Sequence, residues 1–335
     1  MIKYCTSFLF ALLLVSSVGY SQKAGVELLC SPRKDSILLR WAPVDQKTWK
    51  VGNSYGYTVV RYTILRDRKI PKEITATQLT KEPLKPRPLA EWEPLSDNKY
   101  VAIAGECIFN NEYSGVPTGG NPFIAVKKYK YDEHRFSFAL YAADQSIVAA
   151  KLSGLYFADK TAQPNEKYLY KVFISQPDTS VRIDTASAFT GISEYQALPK
   201  PLDFKAEWGD RKAELSWNFK YLKHIYNSYV VEKSNDGGKT YLPITESGTV
   251  QLADAGVSPE LIHKDDSLTS NDTMYYYRVR GISAFGETGP PCDSIFGMGI
   301  KPIKTAPIIT ENVAIDNKVI KLAWDYPEDM NRYIS

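Results

Sequence analysis

Apolar and polar residues alternate with a period of two through most of the patterned stretches of this chain. Ser36-Ile-Leu-Leu-Arg-Trp41, Lys212-Ala-Glu-Leu-Ser-Trp217 and Val319-Ile-Lys-Leu-Ala-Trp324 each close on a Trp. Further on, Tyr168-Leu-Tyr170-Lys-Val172 and Tyr275-Tyr-Tyr277-Arg-Val279 share the pattern Tyr-x-Tyr-[Lys/Arg]-Val. In a strand that spacing turns Tyr, Tyr and Val to one face, the mark of a half-buried sheet. The landmarks recur in the same order, so the chain reads as modules in series.

The second copy is the cleaner. Pro199-Lys-Pro201 marks a linker, and Leu202-Asp-Phe204-Lys-Ala206 alternates as a first strand. Ala213 to Trp217 follows, then Tyr229-Val-Val231-Glu-Lys233, which runs into the turn Ser234-Asn-Asp-Gly-Gly238. Glycine there lets the chain take positive φ and reverse as a hairpin. Tyr275 to Gly281 alternates again, Phe285-Gly286 and Pro290-Pro291 turn the chain, and a last strand is expected near Ile295 to Met298. Short strands at this spacing predict a sandwich of about 100 residues.

These residues resemble the fibronectin type III family in its tandem, secreted bacterial form. The resemblance rests on the Pro-rich start, the Leu-x-Trp strand, Tyr229-x-Val-x-Lys, Tyr275-x-Tyr277-x-Val279 and the Phe285-Gly286 turn before Pro290, and it covers 199–301. It implies an all-β fold of immunoglobulin-like sandwiches. Trp217 and, in the first copy, Trp41 would be core tryptophans. Tyr275 and Tyr168 would form tyrosine corners whose hydroxyls bond back to the main chain. Those roles hold a fold together and are not catalytic.

In the first copy the landmarks are stretched apart. Trp41 and Tyr170 are 129 positions apart, against 60 for Trp217 and Tyr277. The extra material falls between Tyr57–Leu65 and Leu155–Phe157, and its pattern changes to helical. Asp132 is expected to cap a helix running through Leu152, with Phe136, Leu140, Ile147 and Leu152 near one face and Gly154 as its stop. A second helix is expected between Ser96 and Phe109, and a loop over 110–121. The expected organisation is a signal peptide over 1–21, a sandwich over 24–196 with a helical insert at about 84–153, a second sandwich over 199–301, and the truncated start of a third module over 305–335. Two strands cannot close a sandwich around Trp324, so a fragment of a longer protein is expected.

The 335 residues fit two or three domains, and 44% hydrophobic residues suffice for real cores. The 23 Tyr against 3 His favour strands. A formal charge of +3 argues against nucleic acid as a partner. The basic stretch from Arg61 to Arg87 reads as a solvated strand and loop, partly neutralised by Asp67, Glu73 and Glu82. At the N-terminus, Lys3, the apolar run Phe8 to Val18 and Gly19-Tyr20-Ser21 compose a secretory signal. The run is shorter than the roughly 20 residues that span a bilayer, so no membrane span is expected in the mature chain. Cys30, Cys107 and Cys292 remain after removal of the signal. Either Cys30 pairs with Cys107, as an oxidising compartment permits, or all three are buried thiols.

No residue set amounts to an active site, and no cofactor or metal is implied. Asp132-Glu133-His134 lacks the ligand count of a metal site, and His224 and His263 are isolated. Gly115 to Gly120 and Gly297-x-Gly299 lack the context of a phosphate loop. Ser234-Asn-Asp236-Gly-Gly238-Lys-Thr240-Tyr241 resembles the Asp-box of propeller blades, but one copy in a hairpin is better read as a turn held by the Asp side chain. Asp35-Ser36-Ile37, Asp184-Thr185-Ala186, Asp266-Ser267-Leu268, Asp272-Thr273-Met274 and Asp293-Ser294-Ile295 resemble a bacterial O-glycosylation sequon; each is equally a turn leading into a strand.

The insert is the candidate functional surface, because insertions on a rigid sandwich vary without cost to the core. Trp92, Tyr100, Phe109, Tyr113, Phe123, Tyr129 and Tyr131 are either interface anchors or the insert's own small core. The expected function is that of a secreted or periplasmic non-catalytic scaffold or adhesion protein, meeting a protein or glycan at the cell surface. The alternative is the N-terminal accessory region of a larger secreted hydrolase. A place in a bacterial secretion or surface-motility assembly is a third reading.

Overall fold

The computed structural model describes residues 25–110, 122–175, 183–244, 260–302, 307–316 and 318–325, with side chains omitted for 122–126. The expected signal peptide, the loop at 111–121 and Tyr333 lie outside the described residues. The chain divides into two compact units, Met1–Leu140 with Ala150–Glu194, and Tyr141–Ala149 with Tyr195–Ser335.

In the first unit one layer contains β1 (Val26–Pro32), β2 (Ile37–Pro43) and β5 (Tyr156–Asp159), in the order β1-β2-β5. The other contains β3 (Tyr57–Arg66), β4 (Ala76–Gln78), β6 (Glu166–Ile174) and β7 (Ala186–Thr190), in the order β4-β3-β6-β7. The pairings among these strands are antiparallel. Buried and half-buried residues alternate along the whole of β6, which places Tyr168, Tyr170 and Val172 inside. Across the layers the Trp41 and Tyr57 rings lie 5.8 Å apart.

The second unit repeats the plan. Strands β8 (Leu202–Gly209), β9 (Lys212–Asn218) and β12 (Leu261–Ser267) form one layer, ordered β12-β9-β8. Strands β10 (Tyr226–Ser234), β11 (Leu242–Pro243), β13 (Tyr275–Ser283) and β14 (Ile295–Gly297) form the other, ordered β11-β10-β13-β14. Trp217, Leu215, Tyr229, Tyr275, Tyr277 and Val279 compose its core with Ile262 and Leu222. Three strands facing four, with identical connectivity in both copies, make these tandem fibronectin type III-like sandwiches. A separate antiparallel pair, β15 (Ile308–Ile315) and β16 (Val319–Asp325), leaves Trp324 48% exposed.

Both corners are present. The Tyr168 hydroxyl accepts from the Gln163 amide at 2.7 Å, five residues upstream, and Tyr275 accepts from Ser270 at 3.1 Å over the same separation. An ion pair that the sequence pattern did not disclose joins the layers beside each corner, with a buried carboxylate in the first sandwich and half-buried partners in the second. In the first sandwich Arg61 on β3 reaches Asp159 on β5 at 2.6 Å. Its counterpart is Lys233 on β10 with Asp266 on β12 at 2.7 Å. Arg61 is therefore not part of a solvated strand: its side chain is 12% exposed because it bridges the sheets.

Helices occupy the expected stretch between β4 and β5, but with different bounds. Helix α2 (Lys99–Phe109) is capped by Asn98, whose Oδ1 accepts from the amides of Tyr100 and Val101. Helix α3 runs Pro122–Gln145 and α4 runs Ile147–Leu152. Asp132 thus sits mid-helix, not at a cap. Pro122 starts α3 instead, its fixed φ suiting the first helical position. Ser146 divides α3 from α4, its hydroxyl accepting from the Ala149 amide at 3.3 Å. Helix α1 (Gln46–Tyr55), between β2 and β3, was not anticipated; Asp45 caps it by accepting from the Thr48 amide at 2.8 Å.

Candidate binding surfaces of the first sandwich and its insert

Helix α3 is fixed to the sandwich through α1. Asp132 is 4% exposed and pairs with Lys50 of α1 and, at 3.5 Å, with Arg135. Arg135 donates to the carbonyls of Cys107 at 2.7 Å and Ile108 at 3.2 Å. A cation is favourable there, at the negative end of the α2 dipole. The Arg135 guanidinium also lies 5.6 Å from the Trp49 and Tyr131 ring centres, and Trp49 meets Phe136 at 6.3 Å. Asp132 therefore acts as the buried pivot of helix docking.

The chain leading into the insert forms one wall of a cleft of about 1310 Å³. Lys81-Glu-Pro-Leu-Lys-Pro-Arg-Pro88 runs along it, and prolines at 83, 86 and 88 hold this stretch extended. Leu84 exchanges two backbone hydrogen bonds with Tyr57, at 3.0 and 2.8 Å, and the Arg87 amide donates to Leu152 at 2.7 Å. Two glycines permit so close an approach. Gly56 and Gly154 have φ of 81° and 71°, and a Cβ on Gly154 would meet the Lys85 carbonyl oxygen at 2.7 Å. The facing wall is β5 with Lys151, Leu152 and Gly154, and Tyr55 closes one side. Lys81, Lys85, Arg87 and Lys151 are exposed, and among the described residues none has a carboxylate partner. Glu82 and Glu91 also line the cleft. Lys151 Nζ rests 5.0 Å from the Tyr156 ring centre. The basic stretch read from sequence as solvated is thus, from Lys81 onward, the rim of a groove.

The structure separates the candidate anchors of the insert. Trp92 is 3% exposed: its indole donates to the Arg87 carbonyl at 3.0 Å, packs edge-on to Phe109 at 5.8 Å, and lies over Gly105. It is core, and that role follows from the space Gly105 leaves for it. Tyr100 and Tyr131 are half-buried, Phe109 is 40% exposed and Tyr129 59% exposed. Tyr113 and the Phe123 side chain fall outside the described residues. Phe138, 56% exposed on α3, was missed; nine residues from Tyr129 it lies half a turn further round the helix, on a different face, so no spacing pointed to it. Trp41, Tyr168, Trp217 and Tyr275 are at most 3% exposed.

The remaining motifs settle into structural roles. Asp236 accepts from the Lys239 and Thr240 amides at 3.0 Å and from the Thr240 and Ser234 hydroxyls, so its carboxyl is held well below the usual range. Cys30, Cys107 and Cys292 are free, so Cys30 is not bridged to Cys107: one lies on β1 and the other in the last turn of α2. Burial pushes the Cys30 thiol up to about 12 and Cys292 to about 11. Ser36 is buried and donates to Asp35 at 3.0 Å, which removes it as a glycan acceptor. Thr185, Ser267 and Ser294 are exposed and Thr273 half-buried. Among the described residues, no group of three or more His, Cys, Asp or Glu side chains is placed to hold a metal ion, and no helix is long and apolar enough to cross a membrane.

No family model matches the chain, and no curated protein matches it. Among solved structures it aligns with the selenomethionine-substituted chicken interferon gamma receptor alpha chain. That alignment covers 83% of this chain and 98% of that one, at 7% identity and a TM-score of 0.26.

Proposed function

We propose that this chain is an exported, non-catalytic binding scaffold whose partner is held by the insert-bearing first sandwich. The observation that carries the reading is the cleft itself: a basic, aromatic-walled groove built on two docked sheets and braced by α1 and α3. Apart from the cleft, the insert exposes Phe109, Tyr129 and Phe138, and exposed aromatics on a supported surface are the usual anchors of interfaces. Sandwiches space and orient such surfaces, while the loops and insertions select the partner. The test is to replace Phe109, Tyr129 and Phe138 together with Ser and compare the partners captured from the cell envelope. Loss of those partners with an unchanged unfolding midpoint supports the assignment; an unchanged partner set overturns the insert as the contact. Export is checked by N-terminal sequencing of the mature chain, expected to begin at Gln22.

The β15–β16 pair is, in the same reading, the opening of a third module. Leu322 and Trp324 repeat the Leu-x-Trp spacing of Leu39 and Trp41. They are 47% and 48% exposed where those are 0% and 3%.

A further inference from the structure

We propose that the cleft takes an extended acidic peptide segment, added as a strand to the free edge of β5. This deepens the reading of the first sandwich as a binding module and rests on it. Strand β5 is the outer strand of its layer. The Trp41 amide donates to the Leu155 carbonyl, and antiparallel pairs alternate between bonded and non-bonded partners. With Leu39 opposite Phe157 and Ile37 opposite Asp159, Phe157 and Asp159 turn their backbone groups toward β2. Tyr156 and Ala158 therefore turn theirs outward, where no backbone partner meets them among the described residues.

Tyr156, Phe157 and Ala158 all line the cleft. Successive strand residues point to opposite faces, so a groove touching three in a row runs along the strand's edge. An open edge is a template for another strand. The volume exceeds the roughly 300–1,000 Å³ of small-molecule sites, which suits a length of chain. Lys81, Lys85, Arg87 and Lys151 have no carboxylate partner among the described residues and outnumber Glu82 and Glu91 along the cleft, which favours carboxylates. An acidic polysaccharide would use those cations and the aromatic walls, but it would leave the outward amides of β5 idle; an extended peptide engages both.

The test uses the full chain and fluorescence anisotropy with a labelled synthetic peptide of alternating Glu and Val. A Lys–Val peptide serves as the charge control and oligogalacturonate as the competitor. The acidic peptide is expected to bind at least tenfold more tightly than the basic one, with affinity falling as salt rises. Lys85→Glu with Arg87→Glu should weaken it at least tenfold. Ala158→Pro, which removes one outward amide from an edge position that tolerates proline, should do the same. Methylating the backbone nitrogens of the probe reads that contact without altering the protein, and should also cost at least tenfold. Equal binding of the two peptides overturns the proposal. So does undiminished binding by the methylated probe, which would leave contact through the cations alone, as for oligogalacturonate. The Phe109, Tyr129 and Phe138 variant should keep its peptide affinity, so failure here and failure of envelope capture are separate results.

Discussion

The Tyr170 hydroxyl donates to the Asp159 carboxylate at 2.7 Å across a separation of 11 residues, and Tyr277 donates to Asp266 across the same separation. Each carboxylate also receives a cation from the strand opposite that tyrosine: Arg61 is in register with Tyr170, and Lys233 with Tyr277. The cation then lies over the corner tyrosine, Arg61 at 4.6 Å from the Tyr168 ring centre and Lys233 at 4.7 Å from that of Tyr275. Carboxylate, cation and two phenols therefore form one unit that clamps sheet to sheet, and both sandwiches contain it.

Arg61→Ala is expected to destabilise the first sandwich by about 3–5 kcal/mol, because it strands the Asp159 carboxylate, 1% exposed, without its cation. Pairing it with Asp159→Leu should cost less than the sum of the two changes, with a coupling of about 0.5–3 kcal/mol. Urea unfolding of the two single variants and the double variant measures this. Strict additivity would show that the two side chains do not act together.

Acid should weaken the same sandwich through the same carboxylate. Burial pushes the Asp159 carboxyl up, but hydrogen bonds from Thr161, Tyr170 and Arg61 outweigh it and hold the group below the ordinary range. A folded value below the unfolded one gives stability that is complete above about pH 4 and is lost as pH falls through the folded value. Glu166, held low by Tyr168 and Arg66 against its own burial, adds in the same direction. Asp159→Asn should flatten the acid limb of stability against pH. An unchanged slope would assign acid sensitivity elsewhere.

Trp92→Ala is expected to loosen the insert and spare the sandwich. Removing a buried Trp costs about 3–5 kcal/mol, and here the loss falls on the packing of Trp92 against Phe109 and Gly105. Limited proteolysis should cut within 89–110 in the variant while fragments holding β2, β3 and β6 persist. Cleavage spread evenly through the sandwich would show that Trp92 supports more than the insert.

Strand-borne features were legible in the sequence because period-two alternation and the Trp and Tyr landmarks report one face of one element. Spacing put Tyr168, Tyr170 and Val172 on one face, and the family resemblance turned Trp41 and Tyr168 inward. The clamp was not legible, since Arg61, Asp159 and Tyr170 come from three strands and only register brings them together. Helix α1 was hidden by Gly52, Asn53 and Ser54, weak helix formers, with Asp45 and Thr48 as its sole local signal. Among the insert's aromatics, spacing could not separate Trp92, which fills space above Gly105, from Tyr129, which faces solvent. The cleft was obscured for a related reason: Lys85 and Arg87 look like any solvated charges until Gly154 and Gly56 are seen to draw their backbone against the sandwich.

Those two glycines give a last expectation, which tests the cleft wall directly. Gly154 has φ of 71° with the Lys85 carbonyl oxygen 2.7 Å from where a Cβ would stand. Gly154→Ala therefore meets two penalties, a left-handed conformation costing about 1–2 kcal/mol and a collision with backbone that cannot swing aside as a side chain could. The cheapest relief is for the Lys85–Arg87 segment to lift, which breaks the bond from the Arg87 amide to the Leu152 carbonyl. Hydrogen exchange should then speed up at the Arg87 amide while the β3 and β6 amides stay protected. Affinity for the acidic peptide should fall in step, as the cations move away from β5. Faster exchange at Arg87 with unaltered peptide affinity would separate the wall from the binding edge and leave β5 as the sole determinant.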